Sequence, residues 1–205
     1  LALAAKAAKI NGVYSAMALL DLDTAKAKKY TDTKSVKEES GYTSPFCYPL
    51  WPCDRVGEYI LAKSAVAGAM IQYMASDNED VPNQSPSNHL LGVGGQCLED
   101  GTEVYLDQDQ ANTVNGYGVT TAINQNGYRL WGNYTGAYPA SSDAKDIWFA
   151  VRRMFSWQGN NFIQTYFDEV DDPMNNVLVQ SVVDSENIRC SAYAPKYWAG
   201  ASIEY

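Results

Sequence analysis

Apolar residues recur at steps of three and four between Ile147 and Val170, at Ile147, Val151, Met154, Phe155, Phe162, Tyr166 and Val170. That spacing predicts an amphipathic helix from Ala144 to about Val170, capped by Ser142 or Asp143 and kinked at Gly159. Val177, Leu178, Val182 and Ile188 predict a second helix, with Asp172 as cap, Pro173 at its first position and an end before Pro195. Ser64 to Ser76 reads as a helix of small residues with Val66, Ala69, Met70 and Tyr73 on its buried side, and Asp107 opens a short helix before Asn115. Thr24 to Ser40 reads as a charged helix. Leu1 to Ile10 is Ala-rich and helix-favouring, and stops at Asn11-Gly12.

Between these helices the pattern shortens to that of strands. Val13 to Leu20 and His89 to Val93 are candidates, and Lys196 to Tyr205 reads as extended. Pro45 to Pro52 carries three prolines, which restrict it to an edge strand or an irregular segment. The strongest local signal lies at Gly116 to Asn124 and Tyr128 to Gly132, two β-rich runs joined by a turn at Asn126-Gly127, where glycine tolerates positive φ. Strands alternating with helices indicate an α/β fold, a mixed β-sheet flanked by helices. At 205 residues, one domain is the expectation.

Charge changes what such a fold can bind. The net charge of -9 argues against nucleic acid as a partner, because phosphate affinity comes from clustered Lys and Arg. The charge is uneven: Lys6, Lys9, Lys26, Lys28, Lys29, Lys34 and Lys37 lie early, whereas Asp168, Glu169, Asp171 and Asp172 cluster late. Two solvated surfaces account for this in a lone domain; in a self-assembling protein one subunit's basic face could meet another's acidic one. No apolar run approaches the roughly 20 residues that span a bilayer, so membrane insertion is not expected. The four cysteines, Cys47, Cys53, Cys97 and Cys190, lack metal-ligand spacing, and a reduced state is expected.

Candidate chemistry is sparse. Asp21 and Asp23 could meet a cation but read better as caps. Gly92-Val93-Gly94-Gly95 lacks the Lys-Ser/Thr pair of a phosphate-binding loop, and Asp107-Gln108-Asp109 lacks the later ligands of a calcium loop. The only histidine, His89, belongs to no recognisable nucleophile pattern. Neither a catalytic group, a cofactor nor a metal is assigned. Three readings stand at this point: a structural polymer subunit, an α/β enzyme of unknown class, and an aromatic-rich carbohydrate- or surface-binding module using the 15 tyrosines and 5 tryptophans.

An ordered set of short motifs favours the first. A glycine-led segment with Gly116 and Gly118 ends in Ile123-Asn124; a strand ends in Leu130-Trp131-Gly132 and is followed by Thr135; a helix carries Arg152-Arg153. Ser64 to Ala69, Ser85 to Asn88 and Ala199 to Tyr205 follow the same order. Together, over most of residues 57–205, they resemble contractile bacteriophage tail sheath proteins.

The resemblance implies a non-enzymatic subunit that polymerises around the tail tube and contracts to drive it through the host envelope during genome delivery. Its implied partners are other sheath subunits, the tail tube protein and the baseplate, and its place is the virion tail, assembled in the host bacterial cytoplasm. Residues 1–205 would be one sheath core domain, with the arm regions that add strands to neighbouring subunits lying outside it. Trp131 would fill core volume, Gly132 would let the chain turn, and Arg152 or Arg153 would pair with an acidic group. Lys26, Lys28, Lys29, Asp168, Glu169, Asp171, Asp172, Ile203 and Tyr205 are the candidate subunit interface.

Overall fold

The computed structural model describes residues 12–204. The Leu1 to Ile10 helix, Lys6, Lys9, Asn11 and Tyr205 therefore lie outside the described residues.

Pairing begins between distant segments. Strand β1 (Ala18–Asp21) runs parallel to β2 (Cys47–Leu50), with Ala18 opposite Cys47 and Asp21 opposite Leu50. All four residues of β2 are buried, so the proline-rich run is not an edge. Pro49 is tolerated because backbone groups alternate sides along a strand. Ala18 N donates to Phe46 O at 2.8 Å and Leu22 N to Leu50 O at 2.9 Å, so the even-numbered positions serve β1. The odd-numbered ones face away from it: the carbonyls of Cys47 and Pro49 accept from Gly136 N and Thr120 N, each at 2.8 Å. The N–H that proline lacks would point to that second side, where β1 needs nothing.

β3 (Cys53–Val56) is the middle of a three-stranded antiparallel sheet, between β4 (Tyr59–Leu61) and β5 (Gly95–Cys97). β6 (Thr121–Asn124) and β7 (Tyr128–Trp131) form the expected hairpin, with Asn126 and Gly127 both at positive φ in its turn. The strand expected over His89 to Val93 is reduced to a bridge at Leu90 with Arg129. Asn88 N and Leu91 N donate to Leu130 O and Tyr128 O, so the segment trails along β7. The α/β class holds, with parallel and antiparallel pairing spread over three small sheets.

Thr24 to Ser40 is not one helix. Asp23 Oδ1 accepts from Ala25 N and Asp32 Oδ2 from Lys29 N, each at 2.9 Å, and these local side-chain bonds compete with helical ones. What remains is a 3₁₀ turn at Tyr30–Asp32 and helix α1 (Thr33–Glu39). Helix α2 (Lys63–Asp77) buries Lys63, Ala67, Ile71, Met74 and Ala75, a stripe displaced from the expected one; Tyr73 is 72% exposed. Helix α3 (Gln108–Gly116) is capped by the Asp107 carboxylate, which accepts from Gln110 N at 2.8 Å.

The long helix predicted to start at Ala144 is interrupted. α4 (Ala144–Ile147) ends at Trp148, which is extended, and α5 (Phe149–Thr165) follows. The cause is competition from residues 133–135. Thr135 N donates to Ile147 O and Phe149 N to Asn133 O, both at 2.8 Å, and Tyr134 forms a bridge with Trp148. Helix α5 runs through Gly159 without a break. A 3₁₀ turn at Phe167–Glu169 precedes α6 (Asn176–Ala192), whose cap is Asn175 and not Asp172: its Oδ1 accepts from Leu178 N at 3.0 Å. Residues 196–204 contain no strand.

Contacts group the described residues into two compact units: Ala16–Met154, and residues 12–15 with 155–204. The first holds two apolar clusters. One centres on Tyr48, Leu50, Ile71, Leu130 and Phe149, with the Tyr48 and Phe149 rings stacked at 4.1 Å; the other centres on Leu22, Val36, Trp51, Leu98 and Val114. In the second unit the buried side chains are few, among them Ser156, Glu186 and Cys190.

Candidate functional site

The glycine-led segment, the hairpin and the residues before α5 converge in the first unit. The chain leaves α3 at Gly116 and turns through Gly118 at φ +72°. A Cβ on Gly118 would collide with the Tyr138 carbonyl oxygen and stand 2.6 Å from Lys37 Nζ. Gly132, at φ +143°, passes so close to Thr120 and Asn115 that a Cβ would lie 2.6 Å from Thr120 Oγ1. Tyr48, fully buried, donates its hydroxyl to the Gly132 carbonyl at 2.8 Å. Asn115, with its amide nitrogen turned towards the chain, donates to Val119 O at 2.9 Å and Trp131 O at 2.8 Å. Gly118 therefore marks a place where backbone meets backbone, and Gly132 one where the chain passes against the Thr120 and Asn115 side chains at the edge of an open cleft.

Lys37 lies in this junction, buried, although the sequence places it among solvated lysines. Its ammonium donates to Tyr117 O at 2.9 Å and Tyr138 O at 2.6 Å. Burial pulls its pKa down from 10.5 to about 8, against the nearby Glu38 carboxylate, which favours the charged form. A second buried cation, Lys63, pairs with Asp54; both side chains are fully enclosed, and Asp54 Oδ2 has no partner. Burial raises the Asp54 pKa, opposed by Lys63. Sequence reasoning missed both lysines because neither the charged run around Lys37 nor the small and apolar residues around Lys63 tell which side chain the tertiary fold covers.

Trp131 does not fill the core; that role belongs to Trp51, which is 1% exposed and donates its indole N–H to Ala27 O at 2.8 Å. Trp131 is half-buried, donates to Asn112 Oδ1 at 3.0 Å, and lines an open cleft of about 400 Å³ with Tyr134, Tyr138 and Trp148. Tyr134 stacks on Tyr138 at 3.9 Å and on Trp148 at 4.7 Å, forming a short aromatic ladder. Thr135 is buried, and its hydroxyl donates to the Asp146 carbonyl. Asn124 is exposed and accepts from Gly127 N within the hairpin turn at 3.3 Å.

The paired arginines diverge. Arg152 forms an ion pair with Asp146 and lies 4.9 Å from the centre of the Phe46 ring. Arg153 is half-buried without an ion pair among the described residues, and burial lowers its pKa. Asp21 and Asp23 act as acceptors for backbone: Asp21 Oδ1 takes Ser64 N at the start of α2, and Asp23 takes Ala25 N. His89 is exposed.

The candidate interface residues fall in both units. Lys26, Lys28 and Lys29 are exposed on the first, with Lys26 paired to Glu39 at 2.7 Å. Asp168, Glu169, Asp171 and Asp172 are exposed on the second. Ile203 is half-buried: its N–H donates to Asn187 Oδ1 at 2.8 Å, and Asn187 Nδ2 donates back to its carbonyl at 3.2 Å. The second unit also turns apolar side chains outward. Phe155, Phe167, Val170, Met174, Val177 and Ile188 are all more than half exposed, whereas Glu186 is fully buried, bonded to Gln158 and Arg189.

No family model matches the chain. It is 24% identical over 168 residues to the tail sheath protein of Escherichia phage P2, across 76% of this chain and 41% of that protein. It is 33% identical over 109 residues to the tail sheath protein of Burkholderia phage BcepMu, across 50% of this chain and 22% of that protein. The chain thus spans less than half the length of either relative. Its fold is that of a contractile sheath subunit: the PVC sheath complex of an extracellular contractile injection system, in the contracted state, superposes over 92% of this chain and 51% of that one with a TM-score of 0.72 at 16% identity.

Proposed function

We propose that this chain is the body of a structural subunit of a contractile tail sheath, which polymerises around a tail tube and contracts to drive the tube through the host envelope. The observation that carries this reading is the similarity to the phage P2 tail sheath protein over 168 residues, which falls on the same chain that adopts the sheath fold. The subunit works without covalent chemistry. Its free energy lies in packing, with one lattice lower than the other and each subunit's shift biasing the next.

The partners in this reading are further copies of the subunit, the tube protein and the baseplate, and the location is the tail of the virion or particle after assembly in the host cytoplasm. The outward Phe155, Phe167, Val170, Met174, Val177 and Ile188 support a surface that other subunits cover, because apolar side chains this exposed, on α5, on α6 and on the segment between them, gain from a partner. Lys26, Lys28 and Lys29 of one copy would meet Asp168, Glu169, Asp171 and Asp172 of another in at least one lattice state; Ile203 and Tyr205 complete the candidate interface. Gly118, Gly132, Thr135 and Arg152 act within the subunit, holding the hairpin, the Lys37 junction and the start of α5 as one piece that can move without deforming.

Electron microscopy of the intact protein tests the reading. Helical tubes or stacked rings are expected; an intact protein that stays monomeric at all concentrations, with or without tube protein, would exclude it.

A further inference from the structure

Cys53 and Cys97 stand directly opposite each other on the antiparallel strands β3 and β5. Residues so placed project to the same face of the sheet. The neighbouring backbone bonds show which kind of opposition this is. Val104 N donates to Gln96 O at 2.9 Å and Leu98 N to Thr102 O at 2.8 Å, so Gln96 and Leu98 turn their backbone groups away from β3. Cys97, between them, turns its own towards it. Cys53 and Cys97 therefore form a hydrogen-bonded pair, for which Cα atoms stand about 5.5 Å apart, within the separation of about 5.5–6 Å most common for disulfides. Both are free thiols; Cys97 is buried and Cys53 is half-buried, so a reagent from solvent meets Cys53 first.

We propose that Cys53 and Cys97 are a reversible dithiol–disulfide pair, closed by exchange with a low-molecular-weight disulfide. The Cys53 thiolate attacks one sulfur of the reagent, which releases one thiolate and leaves a mixed disulfide on Cys53. The Cys97 thiolate then attacks Cys53 Sγ, forms the Cys53–Cys97 bond and expels the second thiolate. The protein loses two protons and two electrons; the reagent gains them and leaves as two thiols.

Two features set the rate and the reversibility. Burial pushes both thiols up, Cys53 to about 11, with Asp21 and Glu99 adding to the shift and Lys63 opposing it. At Cys97 the burial is opposed by Arg55 and Lys63 and reinforced by Asp54 and Glu103. The thiolate fraction, and with it the rate, therefore rises about tenfold for each pH unit up to that range. Opposed Cβ atoms in a sheet lie about 4.5–5.5 Å apart and must approach to about 3.5–4.5 Å in the bond. The strain left by that approach makes the bond easier to reduce.

The test is incubation of the folded chain with oxidised glutathione near pH ~9, where exchange is favoured, followed by alkylation of the remaining thiols, digestion and mass spectrometry. A peptide pair linked through Cys53 and Cys97 is expected, with Cys47 and Cys190 alkylated, and dithiothreitol should restore all four thiols. Cys97→Ser should stop at a stable glutathione adduct on Cys53. A glutathione adduct that persists on Cys53 in the unsubstituted protein, a linkage through Cys47 or Cys190, or no reaction at Cys53 would each overturn the proposal.

Discussion

Lys37 Nζ donates to the carbonyl oxygen of Tyr138 at 2.6 Å across a separation of 101 residues. The same ammonium holds the Tyr117 carbonyl at the end of α3, so one buried cation joins α1, the end of α3 and the chain before α4. Its pKa of about 8, against an ordinary 10.5, makes the junction pH-sensitive. The unfolded chain keeps this proton up to about 10.5, whereas the folded chain releases it near 8. Between those values the unfolded state binds more protons, so stability rises with pH, by roughly 3 kcal/mol at most if the junction tolerates the neutral amine. Urea denaturation at a series of pH values should show this rise in the unsubstituted protein and lose it in Lys37→Met; parallel profiles for the two would mean Lys37 is not the group responsible.

Gly118→Ala should destabilise the protein by more than about 2 kcal/mol, since positive φ alone costs a non-glycine residue roughly 1–2 kcal/mol and the new methyl would also strike Tyr138 O and Lys37 Nζ. Gly116→Ala is the contrast. Nothing lies within 4 Å of its added Cβ at the end of α3, and the helical position should gain up to about 1 kcal/mol. Thermal denaturation of both separates a backbone requirement from a general intolerance of this segment.

Legibility followed locality. The hairpin at β6 and β7 and the start of α3 at Asp107 were readable because turns and helix starts are written within a few residues. Lys37, Lys63 and Pro49 were not, because each is decided by a segment far along the chain that covers it or leaves it unpaired. The helix over Ala144 to Val170 misled for a related reason: its periodicity is real, yet residues 133–135 claim the backbone groups around Trp148. Within the stripe, Phe155 and Val170 face outward. Periodicity shows that a face is apolar and says nothing of whether its cover belongs to the same chain.

The Lys63–Asp54 pair predicts an asymmetry. Lys63→Met leaves the enclosed Asp54 carboxylate alone and should cost about 3–5 kcal/mol, whereas Lys63→Met with Asp54→Leu removes both charges and should recover most of that loss. A double-mutant cycle read by chemical denaturation measures it. Equal losses in the single and double variants would show that the site depends on the shape of these side chains more than on their charges.

In the intact protein, Lys26→Glu, Lys28→Glu and Lys29→Glu together should hinder sheath assembly, most strongly at low salt, and pairing with Asp168→Lys and Asp171→Lys should partly restore it. Sedimentation and microscopy across a salt series provide the measurement. Assembly unchanged by the reversal at every salt concentration would remove these residues from the interface.

Strand β2 also constrains how the molecule is made. Its carbonyls and amides are satisfied from residues 18–22 on one side and from Thr120 and Gly136 on the other. Closing those contacts means paying chain entropy over spans of about 30 to 90 residues before any of them is rewarded. A nascent chain cannot complete this strand until Gly136 has emerged, so no shorter piece of it can lock β2 in place, and the first unit closes nearly all at once.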